Sequence, residues 1–163
     1  RFQFPYMEAK QRRPDPPGVL EATWRAVIQA TRIIDVNMVL AGRSMGGRIA
    51  SQVVAQGATA DALALFAYPL HPPGNPDRLR DGHLDKITVP TLFCSGTRNP
   101  FASPEEFATA AAIVGGSRMH LLEDADHSFA PPKSSGRVQQ NVWDEAIDAF
   151  LSWLGDIRRV GGQ

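Results

Sequence analysis

The sequence predicts an α/β fold, a mostly parallel sheet flanked by helices. Three observations predict it. Apolar strand-like runs alternate with helix-like runs along the 163 residues. The runs "VNMVLAG" and "VPTLFCSG" are almost continuously apolar, as strands covered on both faces are. In "VLAGRSMGGRIA" such a run passes through glycines straight into a helix-like stretch.

Each element follows from its local pattern. "RFQFPY" reads as a first strand, followed by a Pro- and Arg-rich loop. Residues 19–34 read as a helix, with Leu20, Trp24, Val27, Ile28 and Ile34 at helical spacing. "VNMVLAG" is a strand, and "GGRIASQVVAQG" a helix stopped by Gly57. "DALALFAYPL" is the next strand, and residues 71–87 form a long loop broken by Pro and Gly. After the strand "VPTLFCSG", Ser103-Pro104-Glu105-Glu106 supplies an N-cap serine, a proline at the first helical position and a glutamate at the third, a capping box. That helix ends at Gly115-Gly116, and "SRMHLLED" is the last strand. The final helix spans about 137–154, with Val142, Trp143, Ile147, Phe150, Leu151 and Leu154 as its apolar stripe. Trp24, Trp143 and Trp153 read as packing residues. No internal repeat and no domain boundary stands out, so residues 1–163 form one expected domain.

Composition narrows the function. Seventeen Lys and Arg balance seventeen Asp and Glu, which argues against a nucleic-acid partner. No stretch approaches the ~20 apolar residues of a membrane span, so no membrane partner is expected. The single cysteine, Cys94, lies in a strand-like run and reads as a small buried residue. A lone cysteine favours a reducing compartment, so the cytoplasm is the expected location. Scattered histidines lack metal-ligand spacing, and no cofactor fingerprint is present, so neither metal nor cofactor is expected.

Gly42-Arg43-Ser44-Met45-Gly46 fits G-x-S-x-G. Between a strand and a helix this pattern presents a nucleophilic serine. The turn is tight, so Gly42 and Gly46 are expected where strand and helix approach. Ser44 then stands at the strand's carboxyl end, and the Met45 N–H is suited to a developing oxyanion. The hydroxyl needs a base. His120 reads as a packed strand residue and His83 as a surface or loop-anchoring one. His127, on the loop between the last strand and the final helix, is the expected base. The base needs an orienting acid, expected at the carboxyl end of "TVPTLFCSGTR". Asn99 stands there instead. Asp77, Asp81, Asp85, Asp124 and Asp126 are the loop carboxylates open as substitutes. Tyr68, His71 and Phe101 are candidate substrate-lining residues. Arg43 reads either as an attractor of anionic substrates or as a packing residue.

Beyond these patterns, "RFQFPYME", "GRSMGGRIAS", "YPLHPPGNPDRLRDGHL", "VPTLFCSGTRNPF" and "DADHSF" occur in order and cover nearly the whole chain. Through them the chain resembles small α/β-hydrolases of the dienelactone-hydrolase-like group, in particular a bacterial branch related to the testis-expressed hydrolase-like proteins. The resemblance implies the α/β-hydrolase fold, with its N-terminal strands and a His-Gly-type oxyanion loop upstream of Arg1. It implies a serine hydrolase acting on a small-molecule acyl substrate, an ester or thioester, through an acyl-enzyme on Ser44. It also implies an aspartate at the position of Asn99. The departure leaves a second reading, a catalytically impaired hydrolase-like protein that serves as a binding or interaction module.

Overall fold

The computed structural model describes residues 1–160; the end of the expected domain, 161–163, lies outside the described residues. Four strands, β1 (Val39–Arg43), β2 (Ala62–Phe66), β3 (Thr91–Gly96) and β4 (Arg118–Leu122), form one sheet in the order β1-β2-β3-β4. All neighbours are parallel, with Leu40 opposite Leu63, Leu65 opposite Phe93 and Cys94 opposite His120. Parallel neighbours need crossovers; a helix supplies those from β1 to β2 and from β3 to β4, and the long loop with a 3-10 turn at Leu84–Lys86 supplies that from β2 to β3. The helices are α1 (Pro5–Glu8), α2 (Pro17–Thr31), α3 (Met45–Ala55), α4 (Pro104–Ile113) and α5 (Gln139–Val160).

The pleat sorts the strand residues between two apolar layers. Leu40, Leu63, Leu65 and Phe93 pack with Leu20, Trp24 and Ile28 of α2, Ile49 and Val53 of α3, and Phe107 of α4. The other face carries Ala62, Ala64, Leu92, Cys94 and Leu122, covered by Val142, Ala146 and Trp153 of α5. Both faces are therefore apolar, which is why the strands show no hydrophobic alternation. Burial pushes the Cys94 thiol up to about 12, with Glu145 adding to the effect. The Ser103 capping box forms as the sequence predicts: Glu106 N–H donates to Ser103 Oγ at 3.2 Å, and Ser103 N–H donates to Glu106 Oε2 at 2.8 Å.

Three expectations need correction. "RFQFPY" is not a strand. Phe4 N-caps the short helix α1, with Pro5 at its start, and no strand pairs with residues 1–4. The Phe2–Phe4 alternation instead docks rings on α2 and the core: Phe2 meets Trp24 edge-on at 4.8 Å, and Phe4 is buried. Strand β1 is consequently an edge strand. Ile34 lies beyond the end of α2 and is 85 % exposed. In α5 the apolar stripe divides. Val142 is buried and Phe150 and Leu154 are partly buried against the core, whereas Trp143, Ile147 and Leu151 are exposed, because Ala146 and Trp153, outside the expected stripe, face the sheet. No described helix is long and apolar enough to cross a membrane.

Candidate active site

The strand-to-helix turn is as tight as its sequence suggests. Ser44 adopts φ 52° and ψ −125°, a conformation rare for a residue with a side chain and costly unless the surroundings impose it. The surroundings here are the contact between β1 and α3. A Cβ on Gly42 would lie 2.5 Å from the Gly47 nitrogen, and one on Gly47 would lie 2.6 Å from the Gly42 carbonyl oxygen. Gly42 and Gly47 therefore make the close approach. Gly46, expected in that role, has open space where its Cβ would stand; its carbonyl accepts a hydrogen bond from Trp24 Nε1 at 3.1 Å. Ser44 N–H donates to the Phe66 carbonyl at 2.8 Å, which ties the turn to the end of β2. Met45 is the first residue of α3, so its N–H has no acceptor within the helix.

A second close approach brings the other groups in. A Cβ on Gly96 would lie 2.0 Å from the Ala125 carbonyl oxygen. With no side chain there, the loops after β3 and β4 lie directly on one another. Arg98 N–H donates to the Ala125 carbonyl at 2.9 Å and Asp124 N–H to Thr97 Oγ1 at 2.9 Å. This places Asn99 beside His127. His127 Nε2 lies 2.9 Å from Ser44 Oγ, and His127 Nδ1 lies 3.1 Å from Asn99 Oδ1.

The neighbours of Asn99 decide its chemistry. Phe101 N–H, which can only donate, lies 3.1 Å from the same Asn99 oxygen that faces His127. That atom is therefore the carbonyl oxygen. The His127 nitrogen facing it must carry the proton, leaving the Nε2 lone pair for Ser44. At the other end of the amide, Nδ2 donates to Ser95 Oγ at 2.9 Å. Among the described residues, no substitute carboxylate bonds to the His127 ring. Asp126 is engaged with the N–H groups of Ser128 and Ala130, which shape the His127 loop. His127 is held below its ordinary value, first by burial and then by the Arg43 charge, with Asp126 pulling the other way. Arg43 is anchored to the His127 carbonyl at 2.9 Å and lies over the rings of Phe129 and Trp143.

The candidate lining residues separate. Phe101 borders the site, its ring centroid 4.2 Å from that of His127. Tyr68 does not: it is fully buried, and its hydroxyl donates to the Arg80 carbonyl at 2.8 Å. His71 is also buried, between the Pro72 carbonyl and Glu106 Oε2. Both hold the long loop down, because a position after a strand end does not fix which way a side chain turns. The cavity beside Ser44, about 480 Å³, is walled instead by Phe2, Phe4, Tyr6, Trp24 and Met45 among others. His83 anchors the same loop to α3. Ser51 Oγ gives its one hydrogen to the Arg48 carbonyl, so His83 Nε2 is the donor in their 2.7 Å contact, and Ser51 has no base. His120 pairs with Glu145 of α5. Sequence reasoning missed Ser95; its signal is a polar residue near the carboxyl end of a largely apolar strand, four positions before Asn99.

A strained serine turn after a parallel strand, with a histidine on the loop after the last strand, is the layout that defines α/β-hydrolases. Comparison with known proteins agrees. The chain matches the family described as the alpha/beta hydrolase domain over residues 1–155, and it belongs to that family. Among solved structures it is similar to a predicted CIB-like hydrolase from Thermoplasma acidophilum, with 21 % identity and a TM-score of 0.56 over 78 % of this chain. A monoacylglycerol lipase from Paleococcus ferrophilus shares 13 % identity with a TM-score of 0.66 over 88 % of this chain. Est1E from Butyrivibrio proteoclasticus shares 13 % with a TM-score of 0.60 over 84 %. At these identities the likeness is one of fold. The chain spans 58 % of the Thermoplasma structure, 77 % of the lipase and 72 % of Est1E.

Proposed function

We propose that the protein is a serine hydrolase of carboxylic esters or thioesters that works through an acyl-enzyme on Ser44. One observation carries the reading, the continuous chain from Ser44 Oγ through His127 to Asn99 Oδ1, with contacts of 2.9 and 3.1 Å. In the first half-reaction Ser44 Oγ attacks the acyl carbon while His127 Nε2 takes its proton. The carbonyl oxygen becomes an oxyanion beside the Met45 N–H. Collapse breaks the bond to the leaving alcohol or thiol, which takes the proton back from His127. Water then attacks the acyl-Ser44 ester by the same route, releasing the acid and restoring the serine. Esterase and lipase neighbours in fold lend this reading support.

Asn99 favours a second reading. An amide carries no charge to stabilise the imidazolium that forms, so the chain would keep the shape of a hydrolase while serving as a binding or interaction module. A fluorophosphonate probe separates the two. Under the first reading the parent is labelled and Ser44→Ala is not. Under the second the parent stays unlabelled, and Asn99→Asp restores labelling. Absence of labelling in all variants would refute the hydrolase reading.

A further inference from the structure

Asn99 is 5 % exposed, and an amide at that depth must have both its ends satisfied. Its two ends are held unequally. The bonds from Phe101 N–H and from His127 Nδ1–H both terminate on a single atom, Oδ1. An amide held only there pivots about its own oxygen. The other end has one recorded partner, the hydroxyl of Ser95, at 2.9 Å from Nδ2. Ser95 is 1 % exposed and belongs to β3, the strand that carries the loop on which Asn99 sits. Among the described residues, Asn99 Nδ2 is also the only side-chain partner of the Ser95 hydroxyl.

We infer that Ser95 is a positioning residue for this site, the third point that fixes the plane of the Asn99 amide and through it the ring of His127. The inference rests on the hydrolase reading of Ser44. An aspartate at position 99 would present two equivalent oxygens and no N–H to satisfy. The asparagine introduces a donor that must end on an acceptor away from His127. Ser95 supplies that acceptor from a rigid strand, so the amide keeps its carbonyl on the histidine. Loss of the hydroxyl leaves a buried N–H without a partner and frees the amide to swing. The His127 ring then loses its fixed angle to Ser44 Oγ, and displacements well under an ångström count at such a contact. Ser95 does not touch substrate, so the effect falls on kcat and leaves KM nearly unchanged.

An isosteric pair of variants tests this. Ser95→Thr and Ser95→Val add the same bulk to the strand, but only the threonine keeps a hydroxyl. The rate with a p-nitrophenyl ester, measured as kcat and KM, is expected to stay within about threefold of the parent in Ser95→Thr and to fall roughly tenfold or more in Ser95→Val, in kcat alone. The ring N–H resonance of His127 in proton NMR gives a second readout that needs no turnover. It is expected to be sharp in the parent and in Ser95→Thr, and broadened by solvent exchange in Ser95→Val. Equal resonances and equal rates in the two variants would overturn the inference. A parent that neither turns over nor labels, yet shows the difference in the His127 resonance, would overturn the hydrolase reading and leave the positioning role of Ser95 intact.

Discussion

Asn99→Asp measures what the missing charge is worth. In a serine-protease triad, exchanging the acid for an amide costs about 10⁴ in turnover, because the histidine adopts the wrong tautomer. That part of the penalty is absent here. Phe101 N–H fixes the carbonyl toward His127 and so selects the productive tautomer. What remains is the charge. A carboxylate 3.1 Å from Nδ1 stabilises the imidazolium and raises a histidine by about one to three pH units. The cation of Arg43, anchored on the His127 carbonyl, opposes it and favours the lower part of that range. A base strengthened that far, with about half the gain felt in the transition state, reacts roughly threefold to tenfold faster. The buried pocket receives the charge well, since Phe101 N–H and His127 Nδ1–H already point at it, and the Ser95 hydroxyl, which accepts from Nδ2 in the parent, can turn to donate to the carboxylate. The assay is the second-order rate of fluorophosphonate inactivation across the acid and neutral range. The parent's acid limb lies below the ordinary histidine value, and Asn99→Asp moves it upward while raising the plateau. An unchanged acid limb and plateau would refute the coupling between position 99 and His127. A gain of several thousandfold would refute the claim that the tautomer is already correct.

Two further outcomes follow from packing and from linkage. Gly42→Ala forces a Cβ to within 2.5 Å of backbone and is expected to cost ~2–4 kcal/mol, a drop of about 5–15 °C in Tm for a domain of this size, with loss of labelling. Gly46→Ala meets nothing within 4 Å and gains up to ~1 kcal/mol of helix propensity; calorimetry finding both variants equally damaged would contradict the assignment of the close approach. His83 is held below its ordinary value, by burial first and then by Arg48. Its unfolded form therefore binds a proton more readily than its folded form. The resulting stability is complete above the unfolded histidine value and is lost as pH falls through the folded one. Tm is expected to decline between about pH 7 and pH 5, and His83→Gln, which keeps a donor for Ser51, flattens part of that decline; an identical decline in the variant argues against the linkage.

Much of the site was legible because its signals are local. Gly42-x-Ser44 lies within a single turn, the Ser103 capping box within one helical start, and the serine-to-histidine order follows from chain topology. The rest depends on partners distant in sequence. Alternating Phe2 and Phe4 look the same whether they join a ladder or dock on Trp24, and only the presence or absence of a neighbouring strand decides. Gly46 and Gly47 are adjacent in sequence, and which of them meets Gly42 depends on the rotation of α3. Tyr68 and His71 follow a strand end, but the loop folds back and turns them inward. Ser95 was hidden because "TLFCSG" reads as a uniformly buried strand. The purpose of its serine shows only when the amide of Asn99 is known to lie beside it.

The buried thiol of Cys94 offers a use that its inertness makes possible. It lies fully enclosed in β3, between β2 and β4, with its ionisation pushed up to about 12. In the native state an alkylating reagent has neither access nor thiolate to attack. Modification must wait until the middle of the sheet opens, and the chain has no other cysteine to confuse the count. The rate of labelling at position 94 is thus an intrinsic gauge of how often the central strands part. The gauge requires no engineered probe, and it can be read by mass for every substitution described above.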